Sequence, residues 1–335
     1  PLQQLNQQHP EFTPAYINLA KALQDNDQKK EALEVLEQAA ILFPKNADIA
    51  NARVKALRKN GDRLDASIAA RLFAIVNREH PKAKKFDKLA DKYLSSFRKR
   101  IKTEYIGKST IVTGCKIFLG NICGGGSTTQ KITATIEMAR MIVEGESGMG
   151  KRFARAIVKD SKKKGKFIED PVINGYINQV GQEIAALMGR DEFKYEFYVI
   201  EDPSINAFAL PGGKVFIHTG ALLAANSEAE IAGLIGHEVA HAVLSHGYRG
   251  FANKQFLNSL GNAAPGGNLA KLGFQLLELK TSRSQERSAD ILGTRALAGY
   301  GYASDGLYNF IVTLKNQNAS RRKTPEYLST HPATD

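Results

Sequence analysis

Apolar residues recur at helical spacing through the first hundred positions. Tyr16, Leu19, Ala20 and Leu23 mark one helix face, and Ala32, Leu33, Leu36, Ala39 and Ala40 mark a second. The polar run Gln24-Asp25-Asn26-Asp27 separates them, and Pro44 stops the second helix. Shifting the chain along itself by 34 positions lays Thr13–Asn46 over Ala47–His80. Ala15 then falls on Ile49, Leu23 on Leu57, Ala32 on Ala66 and Ile41 on Ile75, and the turn Asn26-Asp27 falls on Asn60-Gly61. A further helix is expected from about Lys82 to Arg100. From Asp170 the pattern changes. Pro171–Met188 reads as an amphipathic helix, and Tyr195–Ile200 alternates as a strand. Asn206–Leu210 and Lys214–His218 read as two short strands joined at Pro211-Gly212-Gly213. Helical spacing then runs to the end. Its most apolar stretch is Glu228–Leu244, where Ile231, Leu234, Ile235, Val239 and Val243 suit a buried helix.

The fold class expected is therefore α+β and mostly helical, with a small sheet over the Glu228–Leu244 helix, preceded by an α-helical repeat domain. Three regions follow: 1–105 as helical repeats, 106–145 as a Gly-rich bridge with an apolar helix, and 146–335 as the α+β domain. The two 34-residue units resemble tetratricopeptide repeats. A single helix pair cannot bury its apolar face alone, so such units must stack. The array reads either as a docking surface for a protein partner or as a rigid spacer, because a repeat fold sets shape and not ligand.

Composition narrows the picture. The chain has 335 residues, 43% hydrophobic and 24% charged, as expected of folded domains and not of a disordered chain. It lacks a run of about 18 uncharged apolar residues, so no membrane-spanning helix is expected. The most apolar early stretch, Ile106–Cys123, is compatible with peripheral membrane contact. Net charge is +12, concentrated in Arg98–Lys102, Lys162–Lys166 and Arg321–Lys323. No nucleic-acid-binding module accompanies these patches, and they read as solvated faces. Cys115 and Cys123 have no zinc-finger spacing; they are open to one local disulfide or to two buried thiols. Gly145–Lys151 matches the start of a phosphate-binding loop, but residue 152 is Arg and no strand precedes it, so nucleotide binding is not expected. The first residue is Pro, which suits a processed or trimmed form, and an exported, periplasmic protein is the expected location.

His237-Glu238-Val239-Ala240-His241 carries the chemistry. On a helix, residues four apart share a face, so both imidazoles can aim a nitrogen at one Zn²⁺. Glu238, beside the first ligand, is placed to act as general base on a zinc-activated water. Two histidines leave a catalytic zinc short of a ligand. Ser284–Asp290 opens another helix, on which Glu286 can bind the metal while Asp290 accepts a hydrogen bond from a ligand imidazole. His246, five positions past His241, and His218, at a strand end, read as structural.

HEVAH, then ERSAD, with NAFALPGGKVFIHTGAL before them, resembles the M48 family of gluzincin peptidases, over about Gly145 to the C-terminus. The resemblance implies one zinc ion per chain held by His237, His241 and Glu286, with Glu238 activating the water. It also implies that Asn206, Ala207, Phe208 and Ala209 form a sheet edge that receives an extended substrate. Ser329-Thr330-His331-Pro332 resembles a late element of the family, which implies a catalytic place for His331: stabilising an oxyanion, or sitting on the zinc as a fourth ligand at rest. The expected function is a zinc metalloendopeptidase acting on protein or peptide substrates, in protein quality control. The alternative is a non-proteolytic scaffold or chaperone whose zinc site is structural or permanently inhibited.

Overall fold

The computed structural model describes residues 8–103, 141–252, 282–318 and 326–331. Cys115, Cys123, most of the Gly-rich bridge and the Arg321–Lys323 patch lie outside the described residues. Contacts divide the chain into two compact units, Pro1–Arg100 and Ile101–Asp335.

The first unit is helical. Helices α1 (Thr13–Asp25) and α2 (Lys29–Leu42) are followed by α3 (Ala47–Lys59), α4 (Arg63–Val76) and the longer α5 (Ala83–Ile101). The bounds of α1 and α2 recur in α3 and α4 displaced by the same 34 residues that the sequence comparison shows. The turns repeat atom by atom as well. The Gln28 amide donates to the Leu23 carbonyl, and the Asp62 amide to that of Leu57. Each turn needs one residue at positive φ: Asp27 at 60° and Gly61 at 88°. Glycine takes that conformation without strain, and Asp is one of the few others that tolerate it. Small residues let the helices close on one another: Ala20, Ala32, Leu36 and Ala56 form one buried cluster. Phe73, Phe86 and Ala90 join α4 to α5 in another.

The second unit is α+β. Its helices are α6 (Glu146–Lys163), α7 (Pro171–Met188), α8 (Thr219–Ala224), α9 (Glu228–Val243), α10 (His246–Phe251), α11 (Arg283–Tyr300), α12 (Gly306–Asn318) and α13 (Glu326–Thr330). Strands β1 (Glu196–Ile200), β2 (Ala207–Leu210) and β3 (Lys214–His218) form one sheet in the order β1-β3-β2. β1 runs parallel to β3, and β2 pairs with β3 antiparallel, which leaves β2 at an edge. The expected edge segment began at Asn206. The strand starts one residue later, but the Asn206 carbonyl still accepts from the His218 amide at 3.0 Å.

α9 is the axis of this unit. From Ala232 to Val243 every residue is buried, because the helix packs on the sheet, on α7, on α11 and on α12 at once. Such crowding requires missing side chains. A Cβ on Gly233 would stand 2.3 Å from the Leu307 nitrogen, and one on Gly306 would stand 2.1 Å from the Ala229 carbonyl oxygen. Where α9 crosses α11, a Cβ on Gly293 would lie 3.1 Å from the backbone of Gly236 and His237. Among the described residues, no helix is long and apolar enough to cross a membrane.

Because the atoms facing Gly233 are backbone, Gly233→Ala must push α12 away from α9. A loss of about 1–3 kcal/mol of stability is expected, read from the midpoint of a denaturant titration.

Candidate metal centre

The close crossing of α9 and α11 brings their polar side chains together. His237 and His241 stand one turn apart on α9 with their Nε2 atoms 2.9 Å from each other. Glu286, in the first turn of α11, places Oε2 3.4 Å from His237 Nε2 and Oε1 3.4 Å from His241 Nε2. A capping box, with Ser282 accepting from the Gln285 amide and Gln285 accepting from the Ser282 amide, fixes where α11 begins and so where Glu286 points. From the end of α13, His331 brings Nδ1 to 3.1 Å from His237 Nε2 and 3.0 Å from Glu286 Oε2. One ligand atom from each of these four residues lies within 4.8 Å of the others.

The donor set fits a small dication. His237 Nδ1 is bonded to Asp290 Oδ1 at 2.9 Å, and His241 Nδ1 to His246 Nδ1 at 2.9 Å. A neutral imidazole whose Nδ1 carries the proton has only a lone pair on Nε2. With the proton of each ring on Nδ1, the two Nε2 lone pairs would face each other across 2.9 Å, an arrangement suited to a cation between them. Ligands about 2.0–2.1 Å from a tetrahedral zinc are separated by roughly 3.3 Å, close to the 2.9–3.4 Å distances here.

Without a metal the positive charge must be a proton. Burial disfavours charge on His237, but hydrogen bonds to Asp290 and Glu286, with the charge of Glu238, outweigh it and raise its pKa to about 10. His241 moves the other way, pushed well below its ordinary value by burial and by His237 and His246 beside it. Burial opposes ionisation of Glu286, yet hydrogen bonds from His237 and His331 hold it far below the usual carboxylate range. Glu238 is fully buried and pushed up, chiefly by desolvation. Its carboxylate accepts from the Ala209 amide of β2, while Oε1 has no hydrogen-bond partner among the described residues and faces His331 Nε2 at 3.5 Å.

His331 is held over the cluster by its own segment. Its ring stacks on Tyr327, centroids 4.6 Å apart and planes 23° apart, and the Tyr327 amide donates to the Ile205 carbonyl just before β2. Pro332 lies outside the described residues.

The structure thus gathers His237, Glu238, His241, Glu286, Asp290 and His331 in one place, with Ala207–Ala209 on the edge strand packed against α9. His218 stands apart from it, bonded to Ser204 Oγ at 2.8 Å. His246 is different from what its spacing suggests. Counted along a continued helix it would miss His241. α9 ends at Val243, however, and Ser245 at φ 60° turns the chain so that the His246 ring comes back against His241. The sequence shows the histidine but not the turn.

That turn is pinned by a buried network. The Arg190 guanidinium donates to the Val243 carbonyl at 3.1 Å, to Ser245 Oγ at 3.2 Å and to Glu146 Oε1 at 3.1 Å. The Ser245 hydroxyl donates to the same Glu146 oxygen at 2.9 Å. Gly145–Lys151, the segment with a partial phosphate-loop pattern, is the start of α6 and supplies this buried carboxylate.

Residues 171–335 match the model of peptidase family M48, and this segment is a domain of that family. Several curated proteins align with part of this chain. The β-barrel assembly-enhancing protease of Yersinia pestis is 28% identical over 213 residues, 59% of this chain and 43% of the relative. The protein of the same name from Escherichia coli K12 is 26% identical over 181 residues, 49% of this chain and 37% of its own. The mitochondrial metalloendopeptidase OMA1 of Schizosaccharomyces pombe is 31% identical over 166 residues, 48% of this chain and 49% of the relative. The chain thus spans half or less of the length of these relatives.

Removing Arg190 would leave the Glu146 carboxylate buried without its cation. Arg190→Met is expected to cost about 3–5 kcal/mol, and adding Glu146→Leu to recover part of that, as measured by denaturant titration of the two variants.

Proposed function

We propose that this protein is a zinc metalloendopeptidase in which His237, His241 and Glu286 hold one zinc ion and Glu238 is the general base. The observation that carries the reading is the convergence of buried nitrogen and carboxylate donors at spacings suited to tetrahedral zinc, with an unpartnered Glu238 oxygen beside them. Membership of the 171–335 segment in a peptidase family supports it. A zinc ion held there supplies a Lewis acid that polarises a peptide carbonyl and lowers the pKa of a water molecule.

The chain's own groups do the rest. Glu238 Oε1 takes the proton from the attacking water and passes it to the departing amine. Asp290 holds His237 with Nδ1 protonated and Nε2 turned to the metal. The edge of the sheet at β2 receives the substrate backbone as an added strand, which aligns the scissile bond with the cluster. His331 stands within hydrogen-bond reach of His237 and Glu286, where it would fill the remaining place on a zinc ion at rest. Movement of the α13 segment admits substrate.

Protein substrates in quality control are the class we assign. The Yersinia and Escherichia relatives are named for enhancing β-barrel assembly. Barrels of that kind belong to outer membranes, which supports an exported, periplasmic place of action. The stacked helix pairs of the first unit are then a docking surface for a protein partner.

Elemental analysis should find about one zinc per chain, strongly reduced in Glu286→Ala, and wild-type casein cleavage should stop with a chelator. Glu238→Gln should keep the zinc and lose roughly 10²–10⁴-fold in cleavage rate. Zinc-free wild-type protein, or full activity in Glu238→Gln, would overturn the proposal. If the closed corner is a resting state, His331→Ala should cleave casein several-fold faster than wild type at equal zinc content. A lower rate would instead assign His331 to the transition state.

A further inference from the structure

The two histidines of α9 are supported in unlike ways. His237 gives its Nδ1 proton to a carboxylate, that of Asp290. Among the described residues no carboxylate is bonded to the far side of His241; at 2.9 Å from its Nδ1 stands Nδ1 of His246, another imidazole, itself 4% exposed. One of these two nitrogens must carry the proton and the other must accept it. If His241 were the acceptor, its own proton would sit on Nε2, directed at the donor cluster, and it could not bind a cation. We infer that His246 is a positioning residue: its Nδ1 accepts the Nδ1 proton of His241 and so turns the lone pair of His241 Nε2 toward the metal.

This rests on the zinc-site reading above and extends it by one residue. The surrounding geometry agrees. The rings of His241 and His246 meet edge to face, centroids 4.8 Å apart and planes 74° apart, so an edge N–H of one can point at the other. The reversal that brings His246 back is made by Ser245 in the left-handed region, a conformation costly for a residue other than glycine and here fixed by the buried Arg190–Glu146 pair. A strained turn locked at 6% and 1% side-chain exposure is more than a loop end needs. It is what a fixed ring orientation needs.

The test compares His246→Asn with His246→Leu. Asn can place its side-chain oxygen near the position of Nδ1 and accept the same proton; Leu fills similar space and cannot. Zinc affinity, from competition with a chromogenic chelator, should fall roughly 10–100-fold in His246→Leu and return most of the way in His246→Asn. The visible spectrum of the cobalt-loaded protein should change in the Leu variant and stay near wild type in the Asn variant. Metal-free melting temperature is followed alongside, since a purely structural role would lower it without regard to the acceptor. Equal zinc affinity in all three proteins, or equal loss in both variants, overturns the inference. Long-range nitrogen-15 spectra of the wild-type zinc-loaded protein decide it even if the variants do not fold. A proton on His241 Nδ1 and one on His246 Nε2 is the expected pattern, and a proton on His246 Nδ1 refutes it. Wild type that binds no zinc would bring down the metal-site reading and this inference together, whereas zinc binding indifferent to His246 brings down the inference alone.

Discussion

Two imidazole nitrogens are held 2.9 Å apart in a dry interior, each ring with its other nitrogen already bonded, and with a proton on both outer nitrogens they repel unless a positive charge sits between them. Much of the second unit can be read as what it takes to keep them there. α9 must be buried on every side so that its histidines cannot swing out. α11 must come close enough for Glu286 to reach both rings. Side chains at Gly233, Gly236, Gly293 and Gly306 would crowd or block the helix contacts that allow this. Burial raises the cost of leaving the charge out, and the same low dielectric strengthens the attraction once a cation is in.

Parts of this were legible in the sequence because they are local. The spacing of His237 and His241 defines one helix face, and so does that of Glu286 and Asp290. The strands and the turn at Pro211-Gly212-Gly213 follow from alternation over a few residues. The 34-residue recurrence is local too: each helix pair repeats its own turn chemistry, down to a positive φ at Asp27 and Gly61. What escaped depends on groups far apart in the chain. Arg190 meets Glu146 across 44 positions and Ser245 across 55, and no spacing rule connects them. The place of His246 could not be read because it depends on Ser245 adopting a conformation that serine seldom takes. Nor does composition reveal that the glycines of α9, α11 and α12 mark contacts between helices, since an isolated glycine in a helical pattern reads first as a weak point.

The edge of the sheet and the metal centre are one construction. Glu238 is bonded through the Ala209 amide to β2, so the strand proposed to receive substrate and the group proposed to accept a proton are tied by a single hydrogen bond. The His331 segment touches both, through Tyr327 to Ile205 before β2 and through its imidazole to Glu286. The segment that brings His331 to the cluster is thus also bonded just ahead of the edge strand. On the proposed reading, closure of the metal corner and access of an extended peptide would be coupled through these contacts.

Charge explains why the two ligand histidines are supported differently. With a dication in the centre, buried Glu286 and part-exposed Asp290 would be its carboxylate counterweights, and Glu238 would be left as the group whose protonation changes during a reaction. A carboxylate in place of His246 would add a further negative charge in a region shut from water, where an unbalanced ion costs several kcal/mol. It would also hold Glu238 in its protonated form, since like charges nearby raise a carboxyl pKa. A neutral imidazole fixes the orientation of His241 and adds no charge. The pairing of Asp290 with one ring and His246 with the other is thus the combination that orients both ligands and keeps the general base free to titrate.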